Sequence, residues 1–297
     1  MDMAQEFESH RRRLFSLAYR MLGSAAEAED TVQDAYLRWH GVEPGQVVAP
    51  GPWLAKVVTN LCLNRLTSAR ARREEYPGPW LPEPVETAAG VLGPMETAEQ
   101  RDAVSFAVLT MMERLSPPER ACVVLRDAFG YSHRDVAGVL DSSEANARQL
   151  YRRAKQHLAD GRPRFTTSRE EDGELLARFL AAAAEGAMDR LEQLLADQVV
   201  VWSDGGGKVS AARRPVVGRD AVARFLVGLF SRWVSGVRIG FAEANGVPVV
   251  VGWEDGELTA FGVLELGEGG ITGIRLVRNP DKLTFLATQL RELSQNA

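Results

Sequence analysis

Apolar positions recur at helical spacing through the first half of the chain. In Glu29–His40 the residues Val32, Ala35, Tyr36 and Trp39 fall at i, i+3, i+4 and i+7, one face of a helix. Leu54, Val57, Val58 and Leu61 repeat the spacing in Pro52–Leu66, where Pro52 suits a first helical turn. The other side of that helix carries Lys56, Asn60 and Asn64 on one stripe, and a basic tail follows in Arg65, Arg70, Arg72 and Arg73. Further along, Ser116-Pro-Pro-Glu119 has the form of a capping box with proline in the first turn. Ser132 opens a short helix running to about Val139, a tight turn follows, and a basic helix runs over Ser143–Leu158. Two short helices joined by a tight turn predict a helix-turn-helix.

The pattern changes after about residue 170. Helices are predicted at Glu174–Glu185, Asp189–Leu195 and Asp220–Trp233. Runs rich in β-branched residues predict strands at Val199–Ser203, Val237–Ala242, Val247–Trp253, Leu258–Leu266 and Ile271–Val277. Glycine-rich, acidic turns separate the later strands, as hairpins require. Asn279-Pro280-Asp281 reads as the N-cap and first turn of a final helix. The expected class is multidomain: two all-α domains followed by an α+β domain with a mainly antiparallel sheet.

Length and charge sharpen these boundaries. A chain of 297 residues suggests two or three domains. Residues 76–100 hold no basic side chain and are rich in proline and glycine, so they read as a linker. The segment after it, to residue 168, is net positive by about three, and 169–297 is net negative by about four. The partition is therefore 1–75, a linker at 76–100, 101–165 and 170–297. The overall charge of −5 excludes a uniformly basic nucleic-acid binder but not a local basic footprint. Two cysteines far apart, Cys62 and Cys122, indicate neither a disulfide framework nor a zinc site. With no apolar leader and no run near the ~20 residues of a membrane span, the expectation is a cytoplasmic protein with no membrane association.

Candidate chemistry concentrates on the basic helices. Recognition helices present their N-terminal side chains to base edges, here Asn146, Arg148, Gln149 and Arg152. Arg153, Lys155 and Arg164 suit phosphates. The bland alternative is a solvated basic face. The Lys56, Asn60, Asn64 stripe reads either as an ordinary solvated face or as a surface for unpaired DNA.

Three blocks then resemble a known family in its own order. AEDTVQDAYLRWH resembles the polymerase-binding helix of extracytoplasmic-function (ECF) sigma factors. PWLAKVVTNLCLNRLTSARARR resembles their −10-element helix, and LSPPERACVVLRDAFGYSHRDVAGVLDSSEANARQLYRRAKQHL their −35-binding helix-turn-helix. The resemblance covers roughly residues 4–160. It implies that Asp30, Gln33, Asp34, Leu37 and Arg38 meet the β′ clamp helices of core RNA polymerase. It implies that Asn60, Asn64, Arg65 and Ser68 engage the −10 strand, and Lys56 and Arg70 of the stripe and basic tail are expected to join them. The loop Gly41–Gly51 falls where the family captures a flipped base. Arg148, Gln149 and Arg152 fall where it enters the −35 major groove, and Asn146, Arg153 and Lys155 on the same helix are expected to add to that DNA contact. Ala145-Asn146-Ala147 departs from the usual small-Thr-Val, which leaves promoter preference open.

The remaining segments resemble the group of these factors with a SnoaL-like cone domain at the C-terminus. Three short motifs carry the match: Trp80-Leu81-Pro82-Glu83-Pro84 in the linker, Asp204-Gly205-Gly206-Gly207-Lys208 after the first strand, and Asn279-Pro280-Asp281-Lys282-Leu283 before the last helix. Singly, each also reads as a spacer, a turn or a cap. Jointly they imply regulatory contacts. The expected partners are core polymerase (β′ clamp helices and β subunit) and promoter DNA, with a small ligand of open identity in the C-terminal domain. No catalytic residue, metal or cofactor is expected. SnoaL-like enzymes would want an acid–base pair, and all four histidines lie outside that domain. The competing readings are a ligand-sensing helix-turn-helix regulator, and a SnoaL-like isomerase or hydrolase fused to a DNA-binding module. The polymerase-binding block is the feature that separates them from a sigma factor.

Overall fold

The computed structural model describes residues 2–43, 45–92, 104–159, 169–233, 236–267 and 269–296. The chain forms two compact units, and they are not consecutive in sequence. One comprises Met1–Glu75 with Ala89–Arg162; the other comprises Tyr76–Ala88 with Pro163–Ala297. The segment read as a linker is thus divided, and its first half folds with the C-terminal residues.

In the first unit, α1 (Met3–Leu22), α2 (Ala25–His40) and α3 (Pro50–Glu74) pack around Phe7, Leu14, Leu17, Val32, Leu54 and Val58, all buried. Gly23 closes α1 in the left-handed conformation, and its N–H donates to Tyr19 O at 2.8 Å. Ser24 caps α2 by accepting from Glu27 N. The predicted faces are the buried ones: Val32, Ala35 and Trp39 on α2, and Leu54, Val58 and Leu61 on α3. The second half of the unit holds α4 (Phe106–Met112), α5 (Pro117–Val123), a π-turn (Val124–Ala128), α6 (His133–Val139) and α7 (Glu144–Ala159). Capping boxes start α5 at Ser116/Glu119 and α6 at Ser132/Asp135. Asp141 takes a left-handed conformation (φ 47°) in the turn between α6 and α7. Buried Arg120 joins the two halves: its Nη1 donates to Met21 O at 2.8 Å, while its other donors reach Met112 O and Glu113.

The second unit contains α8 (Arg169–Ala184), α9 (Met188–Leu194), β1 (Leu195–Asp204), β2 (Val216–Val217), α10 (Arg219–Trp233), β3 (Arg238–Ala244), β4 (Val247–Glu254), β5 (Glu257–Gly267), β6 (Gly270–Val277) and α11 (Pro280–Asn296). The sheet order is β2-β1-β6-β5-β4-β3. Only β1–β6 is parallel. The sheet is mixed and open, with edges at β2 and β3. Two-residue turns, Asn245-Gly246 and Asp255-Gly256, have positive φ at both residues and join β3 to β4 and β4 to β5. That conformation matches the right-handed twist of paired strands. The two-residue β2 falls in a stretch too short for a period-two signal and was not anticipated.

The core of this unit is formed by Leu176 and Phe179 of α8, Leu191 of α9, Val222 and Leu226 of α10, and the buried faces of β1 and β6. Between α8, α10 and the sheet, packing leaves a cavity of about 60 Å³. Tyr76–Ala88 runs across the same unit, and Glu86 forms a bridge with Ala244 at the end of edge strand β3.

Candidate functional site

On α2 the five expected polymerase contacts lie off the buried face. Asp30, Gln33, Leu37 and Arg38 are exposed and Asp34 is half-buried. Leu37 is 62% exposed, an apolar side chain left in water on a helix whose other leucine-like positions are covered. The carboxylates are engaged within the unit: Arg65 of α3 donates to Asp34 at 2.7 Å and lies 3.9 Å from Asp30. Two groups expected on separate surfaces, for polymerase and for DNA, are therefore neighbours.

On α3, Asn64 and Ser68 are exposed, while Lys56, Asn60 and Arg65 are half-buried. Lys56 bonds Gly138 O at 3.0 Å and pairs with Asp141, both at the helix-turn-helix turn. The side chain of Arg70 lies outside the described residues, as do Arg164 and part of the loop Gly41–Gly51. On α7, Asn146, Arg148, Gln149, Arg152 and Arg153 project to solvent, while Ala147, Leu150, Ala154 and Leu158 form the buried face. Arg148 pairs with Glu144 one turn earlier. Lys155 is held differently: it meets Asp127 at 3.0 Å and covers the Tyr151 ring, whose hydroxyl also donates to Asp127. Its ammonium braces the π-turn against α7.

In the second unit the three short motifs meet. Asp204 ends β1 with a carboxylate 1% exposed. It accepts four hydrogen bonds: from Tyr76 Oη at 2.6 Å, Leu81 N at 2.9 Å, Gly206 N at 3.0 Å and Lys282 Nζ at 2.8 Å. Lys282 also donates to Leu81 O at 2.6 Å, and its ammonium sits 4.2 Å from the Trp80 ring and 4.7 Å from that of Tyr76. A buried cation is thus offset by one carboxylate, one carbonyl and two aromatic faces. Asn279 caps α11 through Asp281 N and donates its side-chain amide to Tyr76 Oη at 2.9 Å. Lys208 bridges to Asp281 at the rim. The glycines are demanded by space. Gly206 has φ +60°, and a Cβ there would lie 2.3 Å from Asn279 Nδ2; one at Gly207 would lie 2.8 Å from Pro77. Burial, and then the bond to Asp204, raise the pKa of Tyr76 well above the ordinary phenol value.

The strap continues past Trp80. Residues 81–87, which include Leu81, Pro82, Glu83 and Pro84, are buried. Val85 exchanges hydrogen bonds with Asn245, Glu86 N donates to Gln289, and Thr87 bonds Glu243 and Gly246. The Trp80 ring is half-buried over Lys282.

Comparison with known proteins now bears on these surfaces. Residues 7–72 match the Sigma-70 region 2 family, and 105–158 match Sigma-70 region 4. The ECF RNA polymerase sigma factor SigJ of Mycobacterium tuberculosis is 37% identical over 94% of this chain and 92% of its own. The chain belongs to the ECF RNA polymerase sigma factors. A probable ECF sigma factor of the same organism, SigI, is 28% identical over 96% of each chain. The crystal structure of SigJ superposes on this sigma factor with a TM-score of 0.75 at 34% identity, covering 95% of this chain and 98% of that one. The likeness thus extends through the α+β unit and beyond the two helical regions.

Several residues of the sigma factor's clasp escaped sequence reasoning: Tyr76, Glu86, Thr87, Asn245 and Gln289. Tyr76 and Gln289 stand in no local pattern. Asn245 was visible only as a turn residue, although its side chain is 0% exposed and bonds the strap. Among the described residues no cluster of His, Cys, Asp and Glu could hold a metal ion, and no helix is long and apolar enough to cross a membrane.

Proposed function

We propose that this sigma factor is regulated in cis by its α+β unit, and that the clasp of the 76–88 strap at Asp204 and Lys282 is the coupling element. The observation that carries the reading is the saturated, buried environment of Asp204, two of whose four donors come from the strap. A strap so held ties the chain between the two helical regions to the C-terminal unit, so loosening it changes the freedom with which those regions reach their two promoter elements. The helical regions act as the family implies. Asp30, Gln33, Asp34, Leu37 and Arg38 meet the β′ clamp helices of core polymerase, with the β subunit as a further contact. Asn60, Asn64, Arg65, Ser68 and Arg70, with Lys56, meet the −10 strand. Asn146, Arg148, Gln149, Arg152 and Arg153, with Lys155, meet −35 DNA. The chain itself is not catalytic. Asp204, the acid at the meeting of the three motifs, already accepts four hydrogen bonds and has no histidine partner in its unit.

The test is promoter-dependent run-off transcription with purified core polymerase, comparing the full chain with its Trp80→Ala variant at equal folded concentration. Removing the ring uncovers one side of Lys282 and loosens the strap while leaving the DNA- and polymerase-facing residues untouched. A several-fold change in transcript yield, in either direction, supports coupling. Equal yield and equal promoter affinity sink it.

A further inference from the structure

Voids in close-packed interiors have identifiable causes. Here the cause is the choice of residue at facing positions of β4 and β5. Gly252 stands opposite Ala260, and Val250 opposite Gly262. Neither glycine has a positive φ. A Cβ at Gly262 would meet only the tip of Leu276, at 3.3 Å. Gly252 stands at a break in the β4–β5 register, and Gly262 lies close against Leu276; together with Ala260 they leave space under α8 and α10. The facing wall is Leu176, Phe179, Leu226 and Phe230. Among the described residues the one charged side chain on the lining is Arg278, half-buried, whose Nη1 donates to Ser210 O at 2.8 Å.

We propose that this cavity binds a short aliphatic carboxylate, with its tail against the Gly252, Ala260 and Gly262 floor and its head on the Arg278 guanidinium. A dry cavity of ~150 Å³ accommodates the six carbons of benzene, so about 60 Å³ takes a tail of roughly two to four carbons before the walls move. The guanidinium selects an anionic head through charge-assisted hydrogen bonds that an alcohol does not match. Burial disfavours the charge on Arg278, a cost that an anionic head offsets in competition with the Glu254 carboxylate, which already favours the charge. The head group lies beside the clasp along the backbone: Arg278 N and Asn279 N both donate to Asp204 O, at 2.7 and 3.0 Å. Any effect of occupancy on transcription rests on the regulatory reading above; the binding itself does not.

The experiment titrates the full-length, methyl-labelled protein with butyrate and, separately, with 1-butanol, following the leucine and valine methyl resonances by NMR. The expected result is a saturable shift confined to the lining methyls, with butyrate binding about fivefold or more tightly than the alcohol. Arg278→Gln is expected to bring the two affinities together. Ala260→Leu, or the milder Ala260→Val, fills the floor and is expected to weaken both ligands. Butyrate that does not saturate, an alcohol that binds equally to the parent protein, or undiminished binding in the filled variants each overturns the assignment. Transcription plays no part in this readout, so failure here leaves the clasp untouched, and failure of the clasp leaves the cavity to be judged separately.

Discussion

The pairs on the expected partner surfaces of the helical unit and the Asp204–Lys282 pair of the α+β unit use charge in opposite ways. In the helical unit, the charged groups on the expected partner surfaces stay near water and pair in forms that can be exchanged. Arg65 with Asp34 and Arg148 with Glu144 are partly exposed pairs of the kind that contribute little, about 0–1 kcal/mol, to stability. A polymerase helix or a DNA phosphate can replace either partner cheaply. In the α+β unit, Lys282 and Asp204 are removed from water and supplied with every partner they need. Such a pair is costly to break from one side and contributes more to fixing one arrangement than to overall stability. The lesson is that the same residue types serve recognition where they are exchangeable and architecture where they are not, and burial decides which.

Several experiments sharpen or break this contrast. The largest effect is expected from Lys282→Met, which strands the Asp204 carboxylate without its cation. The loss is about 3–5 kcal/mol in the unfolding of the α+β unit, read from the denaturant midpoint, and the double variant with Asp204→Asn recovers much of it. If the single substitution costs as little as an exposed pair, the distinction between the two kinds of pair collapses. Next come Arg148→Ala and Arg152→Ala, each expected to reduce discrimination between a matched and a mutated −35 element by ~1–3 kcal/mol with little change in stability. Competition binding on the two DNAs measures it; equal losses on both would assign these arginines to phosphates.

A smaller effect is expected from Leu37→Ser. Its side chain is already in water, so stability changes by less than about 0.5 kcal/mol, while affinity for core polymerase falls about tenfold. Unchanged core affinity would remove α2 from the interface. A separate effect concerns pH. Burial raises the Cys122 thiol to about 11 and raises Cys62 further. A folded pKa above the unfolded value adds stability that is complete below about pH 9 and is lost as pH rises toward 11. The helical unit is therefore expected to weaken over that window, and both thiols to resist a disulfide reagent at pH 8 until the protein is unfolded. Prompt labelling of either thiol in the native protein contradicts its burial.

Local chemistry made much of this molecule legible from residues alone. The faces of α2 and α3, the capping boxes at Ser116 and Ser132, the turn between α6 and α7, and the cap at Asn279 are each set by neighbours within about one helical turn. The α+β class was readable from the switch in period after residue 170. Side chains that project from α7 follow from helix geometry once its buried face is known.

What tertiary structure alone decided are the long-range pairings. Nothing near Tyr76 in sequence announces a partner 128 positions away in Asp204, and nothing near Lys56 announces Asp141. A proline-rich stretch such as 76–88 satisfies its own backbone poorly, so it reads as a linker. Its donors and acceptors find partners only when Asn245, Gln289, Asp204 and Lys282 have been assembled around it. The parallel β1–β6 pairing and the void under α8 and α10 belong to the same class. They depend on which surfaces meet, and hydrophobic periodicity names a buried face without naming what covers it.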